Sequence, residues 1–219
     1  MADHDSEPAA DWATQTEQRL LDAAVAAAPA TGWSAALVAR AARDCGLTAA
    51  EAELLLPGGP RDLAALLSRR HDAATATAMA GIDPQGLKIR ERIRVGVETR
   101  LETAAADEAA LRRCAGFLAL PFNLPLALRL AWESADHLWR WAGDVATDEN
   151  HYSKRAILAG ILVSATAVRL TNGREAAKAY VGARIDNVMA FEKWKATRKR
   201  TDHLKEMAEA LSRMRYGRA

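Results

Sequence analysis

An all-α fold follows from three features of the sequence. Long stretches rich in Ala, Leu, Arg and Glu run between clusters of Pro and Gly. Val, Ile and Thr seldom alternate with polar residues, so the period-two pattern of a half-buried strand is missing. Apolar residues recur instead three and four apart, which is the helical period. The 219 residues suit one ordinary domain, or a small domain riding on a larger one. Half of them are hydrophobic and 26% are charged, enough for a sizeable core and against global disorder.

Residues 1–13 open acidic and polar, Met1-Ala2-Asp3-His4-Asp5-Ser6-Glu7-Pro8. They read as a disordered tail, neither a secretory signal nor a basic transit peptide. Helix one is predicted over 16–28, with Thr14 and Glu17 in capping-box spacing and Leu20, Leu21, Ala24 and Val25 on its apolar face. Pro29 and Gly32 stop it. Helix two covers 34–44 with Ser34 at its N-cap, and Gly46 supplies the turn. Thr48 and Glu51 form a second capping box that opens helix three, to about Leu56. Pro57-Gly58-Gly59-Pro60 is the strongest break in the chain.

Helix four is predicted over 61–79. Helix five, over 85–105, carries Ile89, Ile93, Val97 and Leu101 at helical spacing. A shorter helix over 107–120 is broken by Pro121-Phe122-Asn123-Leu124-Pro125. Helix seven, over 126–143, carries Trp132, Trp139 and Trp141. Trp139 and Trp141 lie about 200° apart around the helix, so one of them is expected to meet something other than the packed centre. Two helices follow, over 151–170 and 175–194, separated by Asn172-Gly173. The domains are therefore set at 1–13, 14–56, 57–194 and 195–219.

Residues 14–56 have the layout of a helix-turn-helix unit, whose third helix would enter a DNA groove. That helix reads Thr48-Ala49-Ala50-Glu51-Ala52-Glu53-Leu54, with two carboxylates and no basic residue. Residues 1–60 carry nine acidic and three basic side chains, a net charge of −6. Phosphate neutralisation dominates DNA affinity, so the unit is expected to serve as a packing scaffold and to bind no nucleic acid.

Catalytic constellations are sparse, and neither an enzyme nor a bound cofactor or metal is expected. Glu133 and His137 are four apart, where a di-iron bundle uses three, and there is no second copy. Arg69-Arg70-His71-Asp72 reads as a solvated helix face. Gly58-Gly59 precedes Pro60 and not a phosphate-binding Lys-Ser pair. Cys45 and Cys114 are too few for a disulfide framework or zinc site, which suits a reducing compartment.

Residues 190–219 carry nine basic and four acidic groups, a net charge of +5. Leu204, Met207, Leu211 and Met214 fall on one helical face. Trp194 and the basic run Arg198, Lys199 and Arg200 stand before them. Such a helix suits the headgroup plane of a membrane, or a docked position on the protein's own body. No apolar run reaches the roughly 18 residues of a spanning helix.

Two blocks carry a family resemblance. One is Leu138-Trp139-Arg140-Trp141-Ala142-Gly143-Asp144 with Thr147-Asp148-Glu149-Asn150-His151-Tyr152-Ser153-Lys154-Arg155-Ala156-Ile157-Leu158. The other is Leu120-Pro121-Phe122-Asn123-Leu124-Pro125, supported by Val97-Glu98-Thr99-Arg100-Leu101. They resemble the signature of a family of lipid-binding accessory proteins in ubiquinone (coenzyme Q) biosynthesis. The resemblance implies a TetR-like fold, a helix-turn-helix unit on a helical lipid-binding and dimer domain, without regulator activity. It implies a pocket for an isoprenoid quinone intermediate or phospholipid, for which the apolar positions Phe117, Leu120, Leu130, Ile161 and Val188 are candidates. It implies a homodimer through the two helices after Asn150. The partner would be the membrane-associated di-iron hydroxylase of demethoxyubiquinone, met by Leu138, Asp148, His151 and Tyr152. Eukaryotic members have Trp where this sequence has His151. By themselves, Asp148 also fits a helix cap and Tyr152 a core tyrosine. The location expected is cytoplasmic, peripheral to the inner membrane. A TetR-type ligand-responsive transcription regulator is the alternative.

Overall fold

The computed structural model describes residues 7–145 and 149–190. Among them the chain is helical throughout, with no strand. In order the helices are α1 (Glu7–Thr31), α2 (Ala35–Asp44), α3 (Ala49–Leu55), α4 (Pro60–Met79) and α5 (Ile89–Ala104). Then come α6 (Glu108–Leu118), α7 (Leu124–Trp141), α8 (Glu149–Asn172) and α9 (174–190). Short 3-10 turns at Pro84–Gly86, Ala105–Asp107 and Pro121–Asn123 join some of them.

The punctuation in the sequence sets most of these boundaries. Thr48 Oγ1 accepts from the Glu51 amide while Glu51 accepts from the Thr48 amide, the reciprocal capping box. Gly46 takes φ +73° between α2 and α3, a left-handed conformation that favours glycine. Ser34 occupies the N-cap of α2 in extended backbone, but its side chain caps nothing.

Helix α1 departs from expectation. It begins at Glu7 and not near Thr16, so residues 7–13 are helical and not tail. Thr14 and Glu17 lie inside the helix and form no cap. Pro8 suits a first turn, and Ala9, Ala10 and Ala13 are strong helix formers. The helix also runs past Pro29 to Thr31 before Gly32 ends it at φ +77°. Helix α5 starts later than predicted, at Ile89, because Asp83 caps the Pro84–Gly86 turn and Lys88 with Glu91 then opens the helix.

Two apolar cores form. The first gathers Leu20, Leu21 and Ala24 of α1, Leu37 and Ala41 of α2, and Leu56. It extends beyond the helix-turn-helix segment, since Leu63 and Leu67 of α4 and Ala110 and Cys114 of α6 belong to it. Trp33 Nε1 donates to Pro60 O at 2.9 Å, tying the α2 entry to α4. The second core joins Ile93, Val97 and Leu101 of α5, Ala135 and Leu138 of α7, Leu158, Ile161 and Leu162 of α8, and Val181 and Ile185 of α9. Burying each such Leu or Ile contributes about 1.5–3 kcal/mol. Helix α4 passes from one core to the other: its Met79 lies in the second.

That passage overturns one reading of the sequence. His71 and Asp72 do not face solvent; they are 2% and 8% exposed. Arg100 of α5 pairs with Asp72 at 2.7 Å, and His71 Nε2 lies 2.9 Å from Asp107 Oδ2. Buried polar groups are tolerated when so paired.

Candidate functional site

A cleft of about 380 Å³ opens between α4 and α7. Helix α4 supplies Asp72, Ala73, Thr75, Ala76 and Met79, and α7 supplies Ser134, Leu138 and Trp141. Arg69, His137 and Arg140 complete the lining. Helical periodicity places these side chains on one face of each helix: 72, 76 and 79 on α4, and 134, 138 and 141 on α7. Most of the lining is apolar, as in ligand sites generally. Asp72 is the one carboxylate of the lining, and its Oδ1 accepts from Arg100 Nε at 2.7 Å and from Ser134 Oγ at 2.8 Å. Its Oδ2 accepts from Ser134 Oγ at 3.0 Å and faces His137 Nδ1 at 3.9 Å. Thr75 donates to the His71 carbonyl at 2.6 Å.

On a different face of α7 from the one that lines the cleft, α7 and α8 form an aromatic surface. Tyr152 is 64% exposed, which excludes the core-tyrosine reading. Its ring centroid lies 6.1 Å from that of Trp132 and 5.2 Å from His151, the latter edge-on. Leu128 and Leu124, one and two turns before Trp132, are also exposed. An exposed aromatic beside apolar neighbours suits a partner interface.

This surface rests on a buried charge cluster. Arg155 donates to Asp136 at 2.6 Å and to Asp144 at 3.0 Å, while Lys154 Nζ lies 2.7 Å from Asp144. Burial alone would raise the Asp144 carboxyl, but the Lys154 and Arg155 bonds outweigh it and hold the group below the usual carboxylate range. Burial disfavours the Arg155 charge, and Asp136 and Asp144 more than offset that and raise its pKa. Trp139 Nε1 donates to the Lys154 carbonyl at 3.1 Å, and the Lys154 ammonium lies 5.4 Å from the Trp139 ring centre. Trp139 and Trp141 are both partly buried against the second core, so opposed positions on α7 do not leave either one wholly outside.

The sequence candidates scatter. Of the five lipid-pocket positions, none lines the α4–α7 cleft. Phe117 packs on the first core, Ile161 and Val188 belong to or pack on the second, Leu130 is buried on α7, and Leu120 is 41% exposed. Of the four partner positions, Leu138 is 2% exposed and packs in the second core, while His151 and Tyr152 are together at the surface. Asp148 and the membrane candidates Trp194, Arg198, Lys199, Arg200, Leu204, Met207, Leu211 and Met214 lie outside the described residues.

The Pro121–Asn123 turn has a structural role instead. Asn123 is fully buried, accepts from Arg61 Nε at 2.9 Å and donates to the Phe117 carbonyl at 2.9 Å. Burial pushes the Cys114 thiol up to about 12, away from the reactive range. Among the described residues no group of three His, Cys, Asp or Glu side chains could hold a metal ion. No single helix among them is long and apolar enough to cross a membrane.

Residues 124–192 match the COQ9 family model. The ubiquinone biosynthesis protein COQ9, mitochondrial, of Bos taurus is 31% identical over 153 residues, 67% of this chain and 48% of that protein. Its Homo sapiens counterpart is 31% identical over 154 residues, with the same coverage of each chain. The COQ9-B protein of Xenopus laevis is 29% identical over 167 residues, 71% of this chain and 55% of its own length. The chain thus spans about half the length of the curated relatives it matches. The segment that supplies the α7 wall of the cleft and the Trp132–Tyr152 surface is the one that matches the COQ9 family, and over two thirds of its length the chain is similar to these ubiquinone biosynthesis proteins.

Proposed function

We propose that this protein is a non-catalytic accessory factor of ubiquinone biosynthesis. It binds an isoprenoid quinone intermediate or phospholipid and offers it to a membrane-associated hydroxylase. The observation that carries this reading is the apolar α4–α7 cleft, half of whose wall lies in the segment matching the COQ9 family. The relatives are named for ubiquinone biosynthesis. The exposed Trp132–Tyr152 surface supports a docking site for the hydroxylase. Exposed Ala156, Gly160 and Val163 of α8 and Ala179 and Ala183 of α9 support a homodimer through those two helices. Residues 195–219, basic and amphipathic in sequence, would hold the protein at the cytoplasmic face of the inner membrane.

Organic extraction of the purified chain followed by mass spectrometry tests the central claim. A stoichiometric isoprenoid quinone, quinone precursor or phospholipid is expected. An empty extract from folded protein would overturn it.

A further inference from the structure

The corner between α6 and α7 is apolar, exposed and outside the cleft. From Cys114 to Leu128 the chain carries no charged residue, and from Ala109 to Trp132 no acidic one. Within that run Leu120, Phe122, Leu124 and Leu128 are exposed, Phe122 by 64% and Leu128 by 60%. The helical stretch that ends at Leu118 meets the one that starts at Pro121 at 98°. These side chains therefore stand on a projecting bend, and none of them lines the α4–α7 cleft. The bend is pinned from inside. Asn123 is fully buried between Arg61 and the Phe117 carbonyl, so its neighbour Phe122 is held outward.

The backbone of the corner suits an apolar medium. Pro121 and Pro125 bring no N–H group. The Leu120 carbonyl accepts from the Asn123 amide at 2.9 Å, the Pro121 carbonyl from the Leu124 amide, and the Phe122 carbonyl from Arg61. A segment that leaves water needs its polar backbone satisfied internally in this way. A protein partner is met differently, through a polar rim and about one hydrogen bond per 100–200 Å². Leu120, Pro121, Phe122, Leu124, Pro125 and Leu128 offer no side chain for such a bond. The nearby cations fit lipid as well. Arg61 donates to Asn123 and the Phe122 carbonyl, and Arg113, two turns before the corner, donates to the Pro29 carbonyl. All three acceptors are neutral, which leaves both charges for anionic headgroups around an inserted apolar tip.

We propose that the α6–α7 corner inserts Leu120, Phe122, Leu124 and Leu128 into the outer part of a lipid bilayer that contains anionic lipid. This contact belongs to the helical body and stands apart from the basic segment 195–219. Since α7 carries both the corner and one wall of the cleft, the insertion orients the cleft relative to the bilayer.

Co-sedimentation of the full chain with vesicles of phosphatidylcholine and phosphatidylglycerol, roughly four to one, reads the partition coefficient. A Phe122→Ser, Leu128→Ser double variant is expected to partition at least about tenfold more weakly, because two apolar side chains no longer leave water. Leu54→Ser removes another exposed leucine, on α3, and is expected to change the partition by less than about twofold. A polarity-sensitive fluorophore on Phe122→Cys, in a Cys45→Ala background, should shift to the blue on vesicles and be quenched by brominated lipid. Cys114 is buried and escapes the label. This second readout serves if circular dichroism finds the double variant unfolded.

Unchanged partition of the folded double variant would overturn the inference and leave the segment 195–219 as the membrane contact. So would a label that keeps its aqueous emission while the chain sediments with vesicles, or an equal loss in Leu54→Ser. A blue shift that grows with chain concentration in the absence of vesicles would assign the corner to a second copy instead. No sedimentation of the unaltered chain would overturn both membrane contacts.

Discussion

Arg155 of α8 donates to Asp136 of α7 at 2.6 Å from a side chain only 2% exposed, and its other arm reaches Asp144 at 3.0 Å. One guanidinium therefore ties α7, the segment after it and α8. Asp136 and Asp144 are themselves 16% and 6% exposed. Removing the arginine would leave two buried carboxylates, one of them with Lys154 alone. Breaking a buried pair in this way costs about 3–5 kcal/mol. Arg155→Ala is therefore expected to lose about that much in urea denaturation. A loss below about 1 kcal/mol would show that water replaces the guanidinium without penalty.

Leu138 was a candidate for partner contact and is instead a packing residue. A Cβ on Gly96 of α5 would come within 3.1 Å of Leu138 Cδ2, so the two helices approach closely there. Leu138→Ala should cost about 2–5 kcal/mol in chemical denaturation, the usual range for a buried leucine truncation. A near-neutral result would place the side chain at a surface.

These two residues show what was legible in the sequence and what was not. The helices after Pro60 were readable because each ends at Pro, Gly or a cap, and because their apolar residues repeat at helical spacing. The family signature located α7 and α8 and, through Tyr152, the exposed aromatic. The cleft was not readable. Asp72, Arg100 and Ser134 are 28 and 62 residues apart along the chain. Each alone looks like an ordinary polar position on a helix. Only the passage of α4 between the two cores brings them together. The same passage buries His71 and Asp72, whose charged neighbours Arg69 and Arg70 give the segment a solvated look. Apolarity alone points mostly to core positions, since core and pocket walls share a composition, and Leu120 is at the surface.

His71 makes stability depend on pH. Its burial and the nearby Arg100 hold its pKa below the ordinary value, and the Asp107 contact, which works the other way, does not offset them; Arg70 adds to the lowering. The unfolded chain takes up this proton near pH 6.5 while the folded chain does so only at lower pH. The contribution is thus fully present above about pH 6.5 and is lost as pH falls toward the folded value. Melting temperature followed over this range should fall more steeply for the unaltered protein than for His71→Asn. Parallel slopes would mean that the imidazole is protonated as readily in the folded state as in the unfolded one.

Tyr152 offers the opposite balance of effects. It is 64% exposed, and its ring meets Trp132 at a centroid distance of 6.1 Å. A tilted surface pair of this kind contributes about 0.5–1.5 kcal/mol. Tyr152→Ala should therefore lower stability by no more than about 1.5 kcal/mol. If the Trp132–Tyr152 surface receives the hydroxylase, the same substitution should weaken that complex by at least about tenfold, because exposed aromatics beside apolar neighbours serve as interface anchors. Immobilised hydroxylase and paired melting curves would measure the two effects side by side. A variant that melts normally and still binds at full strength would remove Tyr152 from the interface. One that loses binding only in step with its folding would assign the ring to structure.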